Sequence, residues 1–202
     1  SHHMARLLVR ALGIPESEIK WEAVGPPPER IARLLADTID VSLIRVEEAV
    51  SLDLDPSNSL HNLLGFADLK KLVPTQPHGV LGTTEAYEAA HPEHLARLTR
   101  GMIRASRMLH EDYAAFRKVY DRYVTVKVPD DHIRRIWSQE HDTGGFAING
   151  ELTKPHWAKQ MDLFYELNPT LPRVTREAVI AEGFVRDALA RLGTVPGADL
   201  SP

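Results

Sequence analysis

Three short runs carry residue types that can hold a small polar molecule. In Gly25-Pro26-Pro27-Pro28-Glu29 a strand-like segment gives way to a helix, where free backbone N–H groups can meet a carboxylate, sulfonate or phosphate. The prolines supply no N–H, so the competing reading is a rigid turn that starts a helix. Arg45 follows the apolar run Val41-Ser42-Leu43-Ile44, which sets a guanidinium at a strand end to reach an anionic group. Glu47 stands close behind it for orientation or for a ligand amine, and the rival reading is a surface ion pair. His78-Gly79 precedes the next apolar run, where glycine permits close backbone approach and the imidazole can touch a ligand; a solvated linker histidine is the alternative. Gly25, Pro26, Arg45, Glu47, His78 and Gly79 are the candidate ligand-binding residues.

Two further clusters explain themselves as helix ends. A helical zinc pair needs histidines four apart with a third ligand elsewhere, whereas His91 and His94 are three apart and His91 lies just outside its helix. With Glu93 they read as polar residues at a helix start. Glu140-His141-Asp142 ahead of Gly144-Gly145 reads as a polar helix end. The sequence contains no cysteine, so thiolate metal sites, a cysteine nucleophile and a disulfide framework are excluded within it. No catalytic residue, metal ligand or cofactor site is assigned.

The elements that must position these residues alternate early and turn helical later. Leu7, Leu8, Ala11 and Leu12 fall at helical spacing and Gly13 with Ile14-Pro15 supplies the stop. Ile19-Lys20-Trp21-Glu22-Ala23-Val24 alternates apolar with polar residues as a half-buried strand does. Ile31, Leu34 and Leu35 give a second helical stripe, and residues 40–44 a second strand-like run. That order predicts a parallel sheet flanked by helices, with ligands beyond the carboxyl ends of its strands, at Gly25 and Arg45. Residues 51–61 read as a loop, and Pro74-Thr75-Gln76-Pro77 as a stiff connector and lobe boundary ahead of a strand over residues 79–83.

Beyond it the chain reads as helical. Pro92 opens a long helix with an apolar stripe of Leu95, Leu98, Met102, Ala105 and Leu109. Tyr113 to Tyr123 forms another, and Pro129-Asp130-Asp131 opens a third that ends at Gly144-Gly145. The spacing predicts helices from about Pro155 to Leu167 and from Phe184 to Leu192, the latter closed by Gly193. Trp21, Trp137 and Trp157 sit at spacings that match buried faces.

With 202 residues, 43% of them hydrophobic, the chain can bury a sizeable core in one or two compact units. A net charge of −4 without a basic block gives no attraction to nucleic acid or to an anionic membrane. Residues 1–4 read as a cloning scar.

The order of the segments resembles the ligand-binding domain of ABC-transporter solute-binding proteins of the sulfonate, taurine and thiamine-pyrimidine-precursor group. The likeness rests on Ala5-Arg6-Leu7-Leu8-Val9-Arg10-Ala11-Leu12-Gly13-Ile14 with Val24-Gly25, Leu35-Ala36-Asp37-Thr38-Ile39-Asp40-Val41-Ser42, and Phe66-Ala67-Asp68-Leu69. It continues through Gly79 to Thr84, His91-Pro92-Glu93, Gly150-Glu151-Leu152-Thr153, and Gly183-Phe184-Val185 with Ala188 and Leu192-Gly193. The resemblance implies an α/β fold of the second periplasmic-binding-protein type, a mixed sheet with flanking helices and a helix-rich C-terminal part. Residues 5–73 would belong to the second lobe, and residues 78–202 would return to the first and add the C-terminal helices. The opening strands of the first lobe are not found upstream of Ala5, so the chain is expected to be a fragment whose incomplete sheet favours pairing with another copy.

What that family implies is capture of a small anionic or heteroaromatic solute without catalysis, delivery to an ABC permease, and a periplasmic or extracellular location. The alternatives are an enzyme on the same fold, of the desulfinase, decarboxylase or pyrimidine-synthesis kind, and a sensor module that has lost transport.

Overall fold

The computed structural model describes residues 2–53, 55, 57–73, 80–125, 127–142, 144–150 and 153–196. Among the described residues it is 62% helical and contains no strand. The expected mixed α/β sheet of periplasmic-binding-protein type is therefore corrected to a helical architecture, and the incomplete sheet edge expected to pair copies is not there among these residues.

The chain divides into two compact units, Ser1–Pro74 with Val124–Ile136, and Thr75–Tyr123 with Trp137–Pro202. In the first unit α1 (His2–Ala11) is followed by a single 3₁₀ turn at Glu16–Glu18, then α2 (Pro27–Leu35), α3 (Val46–Asp53) and α4 (Phe66–Leu72). Gly13 stops α1 in a left-handed conformation, φ 72°. Arg6 on α1 grips Glu16 through two hydrogen bonds of 2.7 and 3.3 Å, and that guanidinium holds the Glu16 carboxyl below its ordinary range. Leu7, Leu8, Val50, Val73, Val128, Ile133 and Ile136 form the buried apolar residues of this unit. The last two lie on α8 (Asp130–Asp142), whose residues are shared between the units.

The segments read as strands run without regular structure. Residues 19–25, 41–45 and 80–84 are neither helix nor ladder. Several of their apolar side chains stay in water, Val41 67% exposed, Val80 73% and Leu81 58%, while Ile19, Val24, Leu43 and Ile44 are only half-buried. Alternation in a sequence selects a strand only if a neighbour takes up its N–H and C=O groups and its apolar face. Here the carbonyls of Gly25 and Leu43 are taken by a side chain, Arg30, rather than by a ladder. Trp21, expected in a core, is 36% exposed and meets the ring of His2 edge-on, with centroids 4.9 Å apart.

The second unit is built on α5 (Glu85–Ala90), α6 (Pro92–Glu111), α7 (Tyr113–Tyr123), the end of α8, α9 (Lys154–Leu167), a single turn α10 (Arg176–Val179) and α11 (Glu182–Leu192). Thr84 caps α5 by accepting the Tyr87 N–H at 3.2 Å, and Pro92 opens α6 where a missing N–H costs nothing. Asp112 both ends α6 and starts α7: its N–H donates to Met108 O, and its carboxylate accepts from the Ala114 and Ala115 N–H groups at 2.8 and 3.1 Å. Helix α11 packs along α6, and the buried apolar residues described here are Leu95, Ile103, Tyr120, Ile148, Tyr165, Leu167 and Ala188. Of the stripe expected to face the core from α6, Leu95 does so, while Leu98 and Met102 are 46% and 52% exposed. The packed face is rotated around the helix, through Leu95, Ile103 and the half-buried Arg107 and His110.

Candidate functional site

Arg30, one turn into α2, collects the ends of the first two irregular segments. Its Nε donates to Gly25 O at 2.6 Å and its Nη1 to Leu43 O at 2.9 Å. A second arginine of the same helix, Arg33, forms an ion pair with Glu22 and donates to Thr38 Oγ1 at 3.1 Å. The run 19–25 is thereby fastened along α2 by charged side chains. Gly25 adopts φ 106°, a conformation that side-chain-bearing residues rarely enter, and a Cβ there would lie 2.6 Å from Glu29 Oε2. The backbone conformation requires glycine at this turn, whereas the flexible Glu29 tip could move aside.

This geometry decides between the two readings of the Gly25–Glu29 turn. Pro27 and Pro28 occupy the first positions of α2 and have no N–H, while the Glu29 and Arg30 N–H groups both point to Pro26 O, at 3.1 and 3.3 Å. No amide among residues 27–30 is left over for an anion, and the Glu29 carboxylate beside Gly25 would repel one. The turn is a rigid helix start. Arg45 is exposed, two residues beyond the carbonyl that Arg30 holds. The Glu47 side chain, His78 and Gly79 lie outside the described residues. Arg30 itself escaped the sequence reading, because its role comes from a contact thirteen residues away. The available signal was an arginine one turn after a Gly-Pro helix start.

In the second unit the charged focus is Arg107. Its guanidinium donates to Ile148 O (2.8 Å), Leu192 O (3.1 Å), Gly193 O (2.7 Å) and Asn149 Oδ1 (3.2 Å). Asn149, 4% exposed, completes the clasp by donating to Val195 O at 3.1 Å and accepting the Val195 N–H at 3.0 Å. A shallow cavity of about 460 Å³ opens here, lined by Arg104, Arg107, Met108, Glu111, Asp112 and Leu192. Its most enclosed cation is committed to the carbonyls at the end of α11, so Arg107 positions the chain rather than offering a free anion site.

Beside it lies an aromatic cluster. The rings of His110 and His141 stack 4.2 Å apart, Trp137 lies 5.1 Å from His141, and Phe146 meets the edges of both His110 and Phe116. Trp137 Nε1 donates to Leu109 O at 2.7 Å and His141 Nδ1 lies 3.1 Å from Asp142 Oδ1. Burial, followed by the charge of His141, pushes the His110 pKa down, against a smaller opposing effect of Glu111. Within the window between that depressed value and 6.5 the unfolded chain binds more protons, so stability rises with pH across it. Acidification from pH 7.5 to 5.5 is expected to lower the urea midpoint less in His110→Gln than in the parent. Equal drops in the two would remove His110 from the acid response.

The other polar clusters stay modest. His91 stacks between Tyr87 and His94, with centroids 4.6 and 5.1 Å away, at the exposed junction of α5 and α6. Among the described residues no three His, Asp or Glu side chains gather as metal ligands would. No protein-family profile, curated protein or solved structure matches the chain.

Proposed function

We propose that this chain captures a small anionic or heteroaromatic solute without bond-making chemistry, as the binding component of an importer that passes the solute to a membrane permease from the periplasmic or extracellular side. One observation carries the reading: a single guanidinium, Arg30, ties the rigid helix start at Gly25 to the Leu43 carbonyl two residues before Arg45, the exposed cation read as ligand-facing. The order of sequence segments described above is its other support. The helical fold leaves the residues of this corner, rather than an α/β clamshell, as its basis.

The recognition chemistry follows from the side chains. Arg45 supplies the cation for a sulfonate or carboxylate, since the backbone amides of α2 are occupied. The Glu29 carboxylate at Gly25 favours a solute that also carries an amine. A panel of aminosulfonates, alkyl sulfonates and aminopyrimidines tests this by thermal unfolding. A true ligand at about a hundred times its Kd adds about 2.7 kcal/mol, a rise of about 5–10 °C for a chain of this size. Arg45→Ala is expected to abolish the rise while leaving the unliganded Tm unchanged. Absence of a shift with every member of the panel at millimolar concentration sinks the proposal.

A further inference from the structure

The exposed side of α6 is organised as a seam. His94, Leu98, Gly101, Ala105 and Met108 recur at alternating spacings of four and three, and all of them are exposed, as is Met102 at the margin. Leu98, Met102 and Met108 are 46%, 52% and 47% exposed, on the helix whose opposite face already packs on α11. A Cβ on Gly101 would meet nothing within 4 Å. One flank repeats at seven-residue intervals as Arg97, Arg104 and Glu111, likewise exposed. Glycine in a helix interior is unfavourable relative to alanine, and an exposed position with open space around it does not explain its use.

We propose that this seam pairs with the same seam of a second copy, helix against helix and antiparallel, in a two-fold symmetric dimer. Charge selects the occupant and its direction. Antiparallel pairing sets Leu98 against Met108 of the other copy and Gly101 against Ala105, so the smallest residues meet where the helices cross and the largest close the ends. On the flank Arg97 then faces Glu111 of the second copy, and the symmetry makes that complementary pair twice. A parallel arrangement would instead set this charged flank against the opposite margin of the second copy, where Met102 lies, and leave Arg97 and Glu111 without that pairing. Arg104 meets its own copy near the axis, the one like-charged encounter of the flank.

A single helix pair lies at the small end of protein interfaces, so dimerisation is expected in the range of tens of micromolar rather than nanomolar. Sedimentation equilibrium of the full chain from about 5 to 500 µM measures it. Gly101→Leu points its new side chain into open space within one copy, so circular dichroism and Tm hold or improve, while the dimer weakens at least about tenfold. Ala105→Glu acts likewise by burying an unpaired charge. Arg104→Gln removes the like-charged encounter and is expected to tighten the dimer about two- to fivefold. Arg97→Glu weakens it, and combining that change with Glu111→Arg restores it. A monomeric mass throughout the range overturns the proposal, as does a dimer indifferent to Gly101→Leu and Ala105→Glu.

Discussion

Replacing Arg107 by methionine is expected to lower stability by about 2–4 kcal/mol, a fall of roughly 5–15 °C in Tm. Methionine keeps the apolar stem and removes only the planar head, so the effect isolates the four hydrogen bonds to Ile148, Asn149, Leu192 and Gly193. Hydrogen bonds to a charged group contribute about 1.5–3 kcal/mol each when buried, but Arg107 is only half-buried and the bonds share one side chain, so their sum is not expected. The partners left behind explain why the loss is still large. Three are carbonyls, two of them at the end of α11, where the helix carries its negative dipole end and a cation is favoured. Lysine keeps the charge and cannot form the fork, so Arg107→Lys should fall between the parent and Arg107→Met. Urea unfolding of the three chains gives the values. Hydrogen exchange adds a local readout, since the Val195 N–H, held by Asn149, should exchange faster in both variants. A loss under about 0.5 kcal/mol in Arg107→Met would mean that the clasp contributes little.

The main helices from Pro92 onward were legible, whereas the expected sheet is absent among the described residues and α3 (Val46–Asp53) runs into a stretch read as a loop. Helix hydrogen bonds are local, so Pro92 as a start, Gly193 as a stop and the apolar spacing of Tyr113 to Tyr123 place their elements within a residue or two. A ladder bond joins residues far apart in sequence, and the alternation in Ile19 to Val24 records only that a strand could form if a neighbour were present. Arg30 takes the Gly25 and Leu43 carbonyls in place of such a neighbour. The stripe on α6 failed differently. Leu98, Met102 and Ala105 do form an apolar row, but a long helix can carry two such rows, and composition does not say which one its own chain covers.

The same locality governs what could be read of the candidate site. Gly25 was recognisable as a turn glycine, and its φ of 106° bears that out. Its neighbours read from sequence alone as anion donors or as a rigid start, and the Pro26 carbonyl, by accepting both the Glu29 and Arg30 N–H groups, decides for the latter. Arg107 was hidden among Arg97, Arg100 and Arg104. The clue was its register: four residues after Ile103, it lies on the face that packs on α11, where an arginine must find partners.

Gly150→Ala is the second change expected to cost heavily, about 2–5 kcal/mol, and it can be split into two causes. Gly150 adopts φ 65°, and a Cβ there would come within 2.7 Å of Ile103 Cγ1 and 2.9 Å of its Cδ1. Ile103, 2% exposed, has no room to retreat. The left-handed backbone costs a side chain about 1–2 kcal/mol, and overpacking a closed core adds about 1–3 kcal/mol. Gly13 provides the control: its φ is 72° at the end of α1, but nothing lies within 4 Å of its Cβ position, so Gly13→Ala should show the backbone cost alone. The difference between the two variants in urea unfolding measures the clash with Ile103, and equal losses would deny it. The turn that Gly150 closes, through its N–H to Ala147 O, also presents Ile148 O and Asn149 Oδ1 to Arg107. Shifting that turn should weaken the clasp as well, so Gly150→Ala and Arg107→Met combined are expected to cost less than the sum of their separate effects.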